Sequence, residues 1–429
     1  MQNHNAGREL AVGSRWRIFP ATTTLGFYDS FAQYIELSAV SSVELREAID
    51  GDALAAIKCL PLLAHELQHW ADHLSTLWGR QRLIRSLEAM DSRRSNDPEV
   101  FWKITDYLRL LESDYFSTYY QTIGKSTPQI GPSRPWAWQL TAGMRFDVDG
   151  RLAANRPIFF TQFAWPDGSH ACRVPFSVSA LLEARAMAAE LSAHFVAASN
   201  LPEAESKVEQ RIASEKLISR LYNPELAVYS VGAHLVGNLV GLKDAMQAFQ
   251  LASQIAHVSL DLPKSLFSYL KIPNDFEPWK TRVPGAIESM DRGFVFLLLL
   301  FHAKQIGDLE VDEWLSEVLL QSGLPTIAEI REASDSECVE LRATARVEHF
   351  AKRLDFLWDL GEELRKTHSY LDEFGGLGAP LPPVYCNDLE WVLPSQYLKF
   401  TTADELEEWW ETCNKMAMQF EEFRDACGI

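Results

Sequence analysis

The sequence has fewer basic than acidic residues, few cysteines and no long apolar run, and each of these features argues against a common class of protein. Its 429 residues include 59 acidic and 40 basic side chains, and the net charge of −19 repels phosphate backbones and anionic lipid head groups. We therefore expect neither a nucleic acid nor a membrane partner. The apolar run GFVFLLLLF at 293–301 is far too short to cross a bilayer. The N-terminal stretch has no basic segment followed by an apolar one, which predicts no secretory signal and a cytoplasmic location.

The cysteines are few and scattered. None of the six belongs to a C-x-x-C pair, which argues against a thiolate zinc knuckle and against a dense disulfide framework. We expect reduced and mostly buried thiols, and nothing around any of them suggests the base that a nucleophilic cysteine needs. The six are Cys59, Cys172, Cys338, Cys386, Cys413 and Cys427.

Hydrophobic spacing predicts an α+β fold that is predominantly α-helical. Residues 14–38 resemble short strands, and the chain then switches to helical spacing. Residues 143–178 contain two D-G turn signals between strand-like runs, which predicts a small antiparallel β element of the hairpin type. Most of the remainder, including the C-terminal region, has helical character.

A division into two domains follows from one proline-rich stretch. Residues 272–286, IPNDFEPWKTRVPGA, contain three prolines and no periodicity. We therefore expect one domain over 1–271 and a mainly helical domain or subdomain over 272–429. The last helix of the chain carries an apolar stripe that either packs in its own domain or binds a protein partner.

The most specific signal is the stretch LPLLAHELQHWADHLSTLWGR at 60–80. His65 and His69 are four residues apart on a predicted helix, so both imidazoles lie on one face and can reach one zinc ion. Glu66 then points beside the metal, where it can take a proton from bound water. Pro61 is expected in the first turn of this helix. If the match were accidental, two histidines without a metal and a glutamate would be buried on an apolar helix, which is energetically costly.

The stretch resembles the H-E-x-x-H motif of the zincin metallopeptidases. The resemblance covers this helix and, more weakly, a second helix downstream. It implies a catalytic zinc held by His65 and His69, with Glu66 as the general base in the hydrolysis of a peptide or protein substrate. A zincin-like active-site helix is then part of the expected fold.

A catalytic zinc needs a third protein ligand. His73 is a poor candidate because residues at i, i+4 and i+8 of a straight helix span about 12 Å along its axis. Asp72 and His73 are expected to support the ligands or to lie at the surface. In gluzincins, which the second helix resembles, a glutamate from a separate helix closes the site. LLEARAMAAEL at 181–191 offers Glu183 and Glu190, and we favour Glu183 because the alanines that follow it let another helix approach closely.

Two further questions stay open at the level of sequence. An oxyanion-stabilising donor is required, and the sequence does not rank its candidates, which are Tyr222, Tyr229, His234 and His170. The function itself has three interpretations: a zinc-dependent peptidase, a hydrolase that acts on something other than a peptide, or a catalytically silent or non-peptidase helical interaction protein that carries a zincin-like metal site. The presence of Glu66 favours the peptidase.

Overall fold

The described part of the chain folds into many helices and two small sheets. The computed structural model describes residues 25–95, 98–115, 120–124, 136–146, 151–304, 311–366, 381–393 and 403–427. The strands are β1 Gly26–Asp29, β2 Tyr34–Leu37, β3 Thr122–Ile123, β4 Ala137–Phe146, β5 Leu152–Ala164, β6 His170–Pro175, β7 Val384–Cys386 and β8 Trp391–Val392. The α-helices are α1 Ser42–Ile49, α2 Ala53–Ser75, α3 Leu77–Arg94, α4 Trp102–Tyr115, α5 Val178–Ser199, α6 Glu203–Leu221, α7 Ala227–Val240, α8 Ala245–Asp261, α9 Val283–Glu288, α10 Arg292–Ala303, α11 Val311–Gln321, α12 Ile327–Thr344, α13 Ala351–Lys366 and α14 Ala403–Cys427. The predominantly helical α+β class is confirmed.

The predicted antiparallel element forms the larger of the two sheets. Its strand order is β3-β6-β5-β4, and each neighbouring pair is antiparallel. The turn between β5 and β6 contains Gly168 at φ +84°, a left-handed conformation that glycine adopts without steric cost. The other D-G signal, at 149–150, lies outside the described residues. The second sheet has the order β1-β2-β7-β8, in which β2 and β7 are parallel.

The helix α2 carries the histidine motif and is longer than the sequence suggested. It begins after Asp52, whose carboxylate accepts a hydrogen bond from the backbone N–H of Ala55 and so caps the first turn. Pro61 therefore lies two turns inside the helix, and its predicted first-turn position was wrong. The helix begins at the Asp52 cap because this cap satisfies an N-terminal N–H group. The helix then continues through the buried Pro61 at the cost of one internal hydrogen bond.

Two hydrophobic cores meet at the histidine motif. One core joins residues between 136 and 330 with Trp78, and the other joins residues between 28 and 108 with residues between 338 and 420. Helix α2 contributes Leu63, Leu67 and Trp70 to the second core, whereas α5 contributes Leu181 and Leu182 to the first. The face between these two helices therefore lies where the cores adjoin. The predicted domain division at residue 272 stays a prediction.

The terminal helix α14 packs its apolar stripe inside the protein. Cys413, Met416 and Phe420 are buried in the second core, which explains the stripe by packing. Binding of a protein partner by the C-terminal region stays a prediction. Among the cysteines whose side chains the structure describes, five are free and buried, namely Cys59, Cys172, Cys338, Cys386 and Cys413.

Length and hydropathy bear on whether a helix could cross a membrane. Over the described ranges, no single helix is both long and apolar enough to do so. One pair, Pro224–Val240 with Ala245–Asp261, meets the test only when taken together, and it is bent by 105° at the break.

Candidate metal centre

Small residues bring the two site helices together. Ala64 on α2 and Ala189 and Ala193 on α5 form a buried cluster of their own, so the two backbones approach closely at this level. Glu183 lies on this second helix, as the sequence predicted, and its side chain is fully buried. The alanine-rich composition of α5 thus places a buried carboxylate opposite the histidines of α2.

Three side chains converge between α2 and α5. The Nε2 atom of His65 lies 3.2 Å from Oε2 of Glu183, and Nε2 of His69 lies 3.3 Å from Oε1 of the same residue. The two imidazole rings have centroids 5.0 Å apart and are nearly perpendicular. One candidate ligand atom from each residue lies within 4.8 Å of the other two. The arrangement could therefore hold a metal ion.

The detailed geometry fits a metal better than a hydrogen-bonded cluster. Among the described residues, neither buried carboxylate oxygen of Glu183 makes a well-aligned hydrogen bond, although each lies 3.2–3.3 Å from an imidazole nitrogen. Two ligands bound about 2.1 Å from an ion at the tetrahedral angle are about 3.4 Å apart, which is close to both N···O separations. A donor set of two imidazoles and one carboxylate is one that zinc accepts, and it is not specific to zinc.

Burial and mutual attraction shift the pKa values of these groups. Burial lowers the pKa of His65, but its contacts with Glu183 and Glu190 outweigh this and hold the pKa well above its ordinary value. Burial likewise opposes ionisation of Glu183, but the neighbouring histidines lower the pKa of Glu183 to about 2. Glu183 is therefore an anion at neutral pH, which is the form that binds a cation.

Glu66 lies beside the three converging residues. Its side chain is buried, and burial raises the pKa of Glu66 while the two adjacent histidines lower it and the other site glutamates raise it again. The backbone of β1 passes close by, because a Cβ atom placed on Gly26 would lie only 3.0 Å from Oε1 of Glu66. A larger residue at this point of β1 would require the carboxylate of Glu66 to shift by a few tenths of an ångström.

Glu190 and Asp72 make contacts around the site. The Oε2 atom of Glu190 lies 3.2 Å from Nδ1 of His65, and its other oxygen pairs with Arg220 of α6. Asp72 is fully buried and accepts from Nε of Arg185 at 2.7 Å and from Nε2 of Gln68 at 2.8 Å. Burial raises the pKa of Asp72, and Arg185 opposes this shift.

His73 is directed away from the candidate metal centre. Its Nδ1 atom lies 3.2 Å from Oη of Tyr28 and 3.1 Å from Nε2 of Gln33, and its ring contacts Trp78. Burial, with a contribution from Arg82, lowers the pKa of His73 to about 3. His73 is therefore a neutral, buried histidine whose partners come from β1 and from the turn between β1 and β2.

One of the four oxyanion candidates lies at the site. The ring centroid of Tyr229, on α7, is 6.1 Å from that of His65. Burial and the carboxylates of Glu183 and Glu66 raise the pKa of Tyr229, so its hydroxyl keeps its proton.

The other three candidates lie elsewhere. Tyr222 and His234 pack around Trp136, and Nε2 of His234 lies 2.7 Å from the carbonyl oxygen of Leu221. His170 is partly buried at the start of β6, with its Nε2 atom 3.1 Å from Oγ1 of Thr122.

The sequence interpretation missed Arg185 and Arg220. Arg185 was detectable, because a lone arginine within the alanine-rich segment of α5 needs a buried acidic partner. Arg220 gave no local signal, since its partner Glu190 is thirty residues away on another helix. Comparisons with protein-family models, with curated proteins and with solved structures find no match to this chain.

Proposed function

We propose that this protein is a zinc-dependent peptidase of the zincin type, with His65, His69 and Glu183 as the metal ligands. The observation that carries the proposal is the convergence of these three side chains from two helices, with both oxygens of a fully buried glutamate otherwise unsatisfied. The H-E-L-Q-H motif supplies the independent sequence argument. Together they favour an open three-ligand site over a structural four-ligand site.

The residues around the metal have separable roles. Zinc, when bound, lowers the pKa of a coordinated water and polarises the scissile carbonyl. Glu66 accepts the proton of the attacking water on its carboxylate and delivers it to the leaving amine.

Tyr229 is the donor that we assign to the developing oxyanion. Its hydroxyl stays protonated because burial and the neighbouring carboxylates raise its pKa, so it can donate a hydrogen bond at neutral pH. Asp72 and Arg185 hold the C-terminal half of α2 against α5 through a buried ion pair, which keeps the two ligand-bearing helices in register.

The metal is tested by elemental analysis of protein purified without added metal. We expect near-stoichiometric zinc in the wild type and none in the His65→Ala/His69→Ala double variant. The double variant His257→Ala/His349→Ala removes two exposed histidines and should keep its zinc. Equal zinc in the wild type and the His65/His69 variant would refute the site.

The reaction is tested with Glu66→Gln, which keeps the size of the side chain and removes the base. It should fold, retain zinc and lose hydrolysis of a proteome-derived peptide mixture by orders of magnitude. Glu47→Gln, at an exposed position on α1, is the matched control and should remain active. A zinc-loaded wild type that cleaves no peptide would contradict the peptidase and leave the catalytically silent alternative.

A further inference from the structure

The two nitrogens of His65 face different carboxylates, and only the contact of Nδ1 has hydrogen-bonding geometry. Nδ1 makes a hydrogen-bonding contact of 3.2 Å with Oε2 of Glu190. Nε2 is equally close to Glu183, yet neither oxygen of Glu183 has a hydrogen-bond partner within the described part of the chain. A proton on Nδ1 that is donated to Glu190 leaves the lone pair of Nε2 free to bind a cation.

We propose that Glu190, held in place by Arg220, is a positioning residue that fixes the tautomer and the ring orientation of His65. This inference rests on the proposed metal site and adds residues to it. A histidine ligand whose other nitrogen donates to a carboxylate is both oriented and made more basic. Glu190 supplies that carboxylate from α5, two helical turns beyond Glu183.

The position of Glu190 argues against its being a ligand of the same ion. The two nitrogens of an imidazole point in diverging directions, and Glu190 contacts Nδ1 whereas Glu183 lies near Nε2. The group of three side chains that could hold a metal contains Glu183 and not Glu190. The sequence offered both glutamates of α5 as the third ligand. The proposal assigns ligation to Glu183 and the positioning of His65 to Glu190.

Arg220 completes the arrangement from a third helix. It pairs with Oε1 of Glu190, which leaves Oε2 for His65, so each carboxylate oxygen has one defined partner. Arg220 lies in the last turn of α6, a helix whose buried residues are Ser206, Leu217 and Leu221. A helix that is otherwise mostly at the surface thus reaches the metal centre through one guanidinium.

The test is the zinc affinity of the full-length protein, measured by competition with a chromophoric chelator. Glu190→Ala should weaken zinc binding about 10- to 100-fold. Glu190→Gln should fall between the wild type and Glu190→Ala, because its amide oxygen still accepts from Nδ1. Arg220→Met should weaken binding by a smaller factor, and Arg220→Lys should restore it. The absorption spectrum of the cobalt-substituted protein should shift in Glu190→Ala, since the orientation of His65 changes.

Controls separate this proposal from the metal site itself. Glu203→Gln and Arg211→Met each break an exposed ion pair on α6 and should leave the affinity and the cobalt spectrum unchanged. Glu190→Ala with wild-type affinity and spectrum would overturn the positioning role and leave the metal site intact. Glu190→Ala with affinity as low as His65→Ala/His69→Ala would overturn it in favour of direct ligation. A wild type that binds no zinc would overturn the metal site and this inference together.

Discussion

Helix α2 presents three histidines at successive turns, and their surroundings differ sharply. His65 and His69 face α5, where Glu183 lies within 3.3 Å of both rings. His73 faces Tyr28 and Gln33 instead. The pKa of His65 is raised despite burial, whereas burial lowers the pKa of His73 to about 3.

The difference comes from the partner element and not from the helix. All three histidines have the same spacing, and His65 and His73 are buried to a similar extent. An acidic side chain on α5 makes one end of α2 a candidate cation site, and uncharged hydrogen-bonding partners near β1 make the other end a neutral core. Helical spacing therefore identifies which histidines are candidate metal ligands. The side chain that a second element places opposite each histidine determines which of them can bind a cation.

The largest expected effect, on zinc affinity, comes from removing the carboxylate that faces His65 and His69. Glu183→Ala should weaken zinc binding by two to three orders of magnitude, because a zinc-site free energy of about 10–16 kcal/mol is shared among few ligands. His73→Gln, on the same helix as the two proposed histidine ligands, should keep stoichiometric zinc. Elemental analysis and chelator competition measure both. Zinc lost from His73→Gln and kept in Glu183→Ala would reverse the assignment.

The next largest effect concerns Tyr229. Tyr229→Phe keeps the ring beside His65 and removes the hydroxyl, so kcat should fall about 100-fold while KM and zinc content change little. Tyr222→Phe, a tyrosine of the neighbouring aromatic cluster, is the matched control and should keep its kcat. Equal activity of the two variants would exclude Tyr229 as the oxyanion donor.

The features that could be predicted from the sequence are those set by local patterns, and the features that could not are contacts between distant segments. The motif, the helical character of α2 and α5, and the antiparallel element all come from local spacing and turn residues, and the structure bears out the coarse fold. Glu183 was favoured from the alanines at 184, 186 and 188, but the alanines that pack on Ala64 of α2 are Ala189 and Ala193, and Ala184 and Ala188 belong to the first core. The partner of His73 could not be predicted, because Tyr28 is 45 residues away and no local pattern joins them.

A smaller effect concerns the space that β1 leaves for Glu66, the proposed general base. The Cβ atom of Gly26→Ala would lie 3.0 Å from Oε1 of Glu66 and 3.1 Å from Cδ1 of Leu62, so the carboxylate must shift by a few tenths of an ångström. We expect kcat to fall about tenfold with zinc retained. Gly237→Ala, where the added atom meets its nearest neighbour at 3.7 Å, is the control. Unchanged kcat in Gly26→Ala would show that β1 does not constrain Glu66.

The smallest effect tests the neutral end of the helix through the pH dependence of stability. The pKa of His73 is lowered to about 3 in the folded protein, whereas an unfolded histidine has a pKa near 6.5. Between these values the unfolded chain binds the proton and the folded chain does not. The stabilisation is therefore complete above pH 6.5 and is lost as the pH falls. From pH 7 to pH 5 this amounts to roughly 1–2 kcal/mol of the free energy of unfolding.

His73→Gln cannot take up this proton, so its free energy of unfolding should fall less between pH 7 and pH 5 than that of the wild type. The measurement is urea unfolding in the presence of a chelator, so that both proteins are free of metal and the difference in slope is independent of zinc. His349→Gln removes an exposed histidine and should keep the wild-type slope. The slope is compared and not the absolute stability, because the substitution also alters the contacts with Tyr28 and Gln33 at every pH. Parallel pH profiles for wild type and His73→Gln would mean that His73 titrates normally in the folded protein, and the contrast between the two ends of α2 would then not extend to their charge.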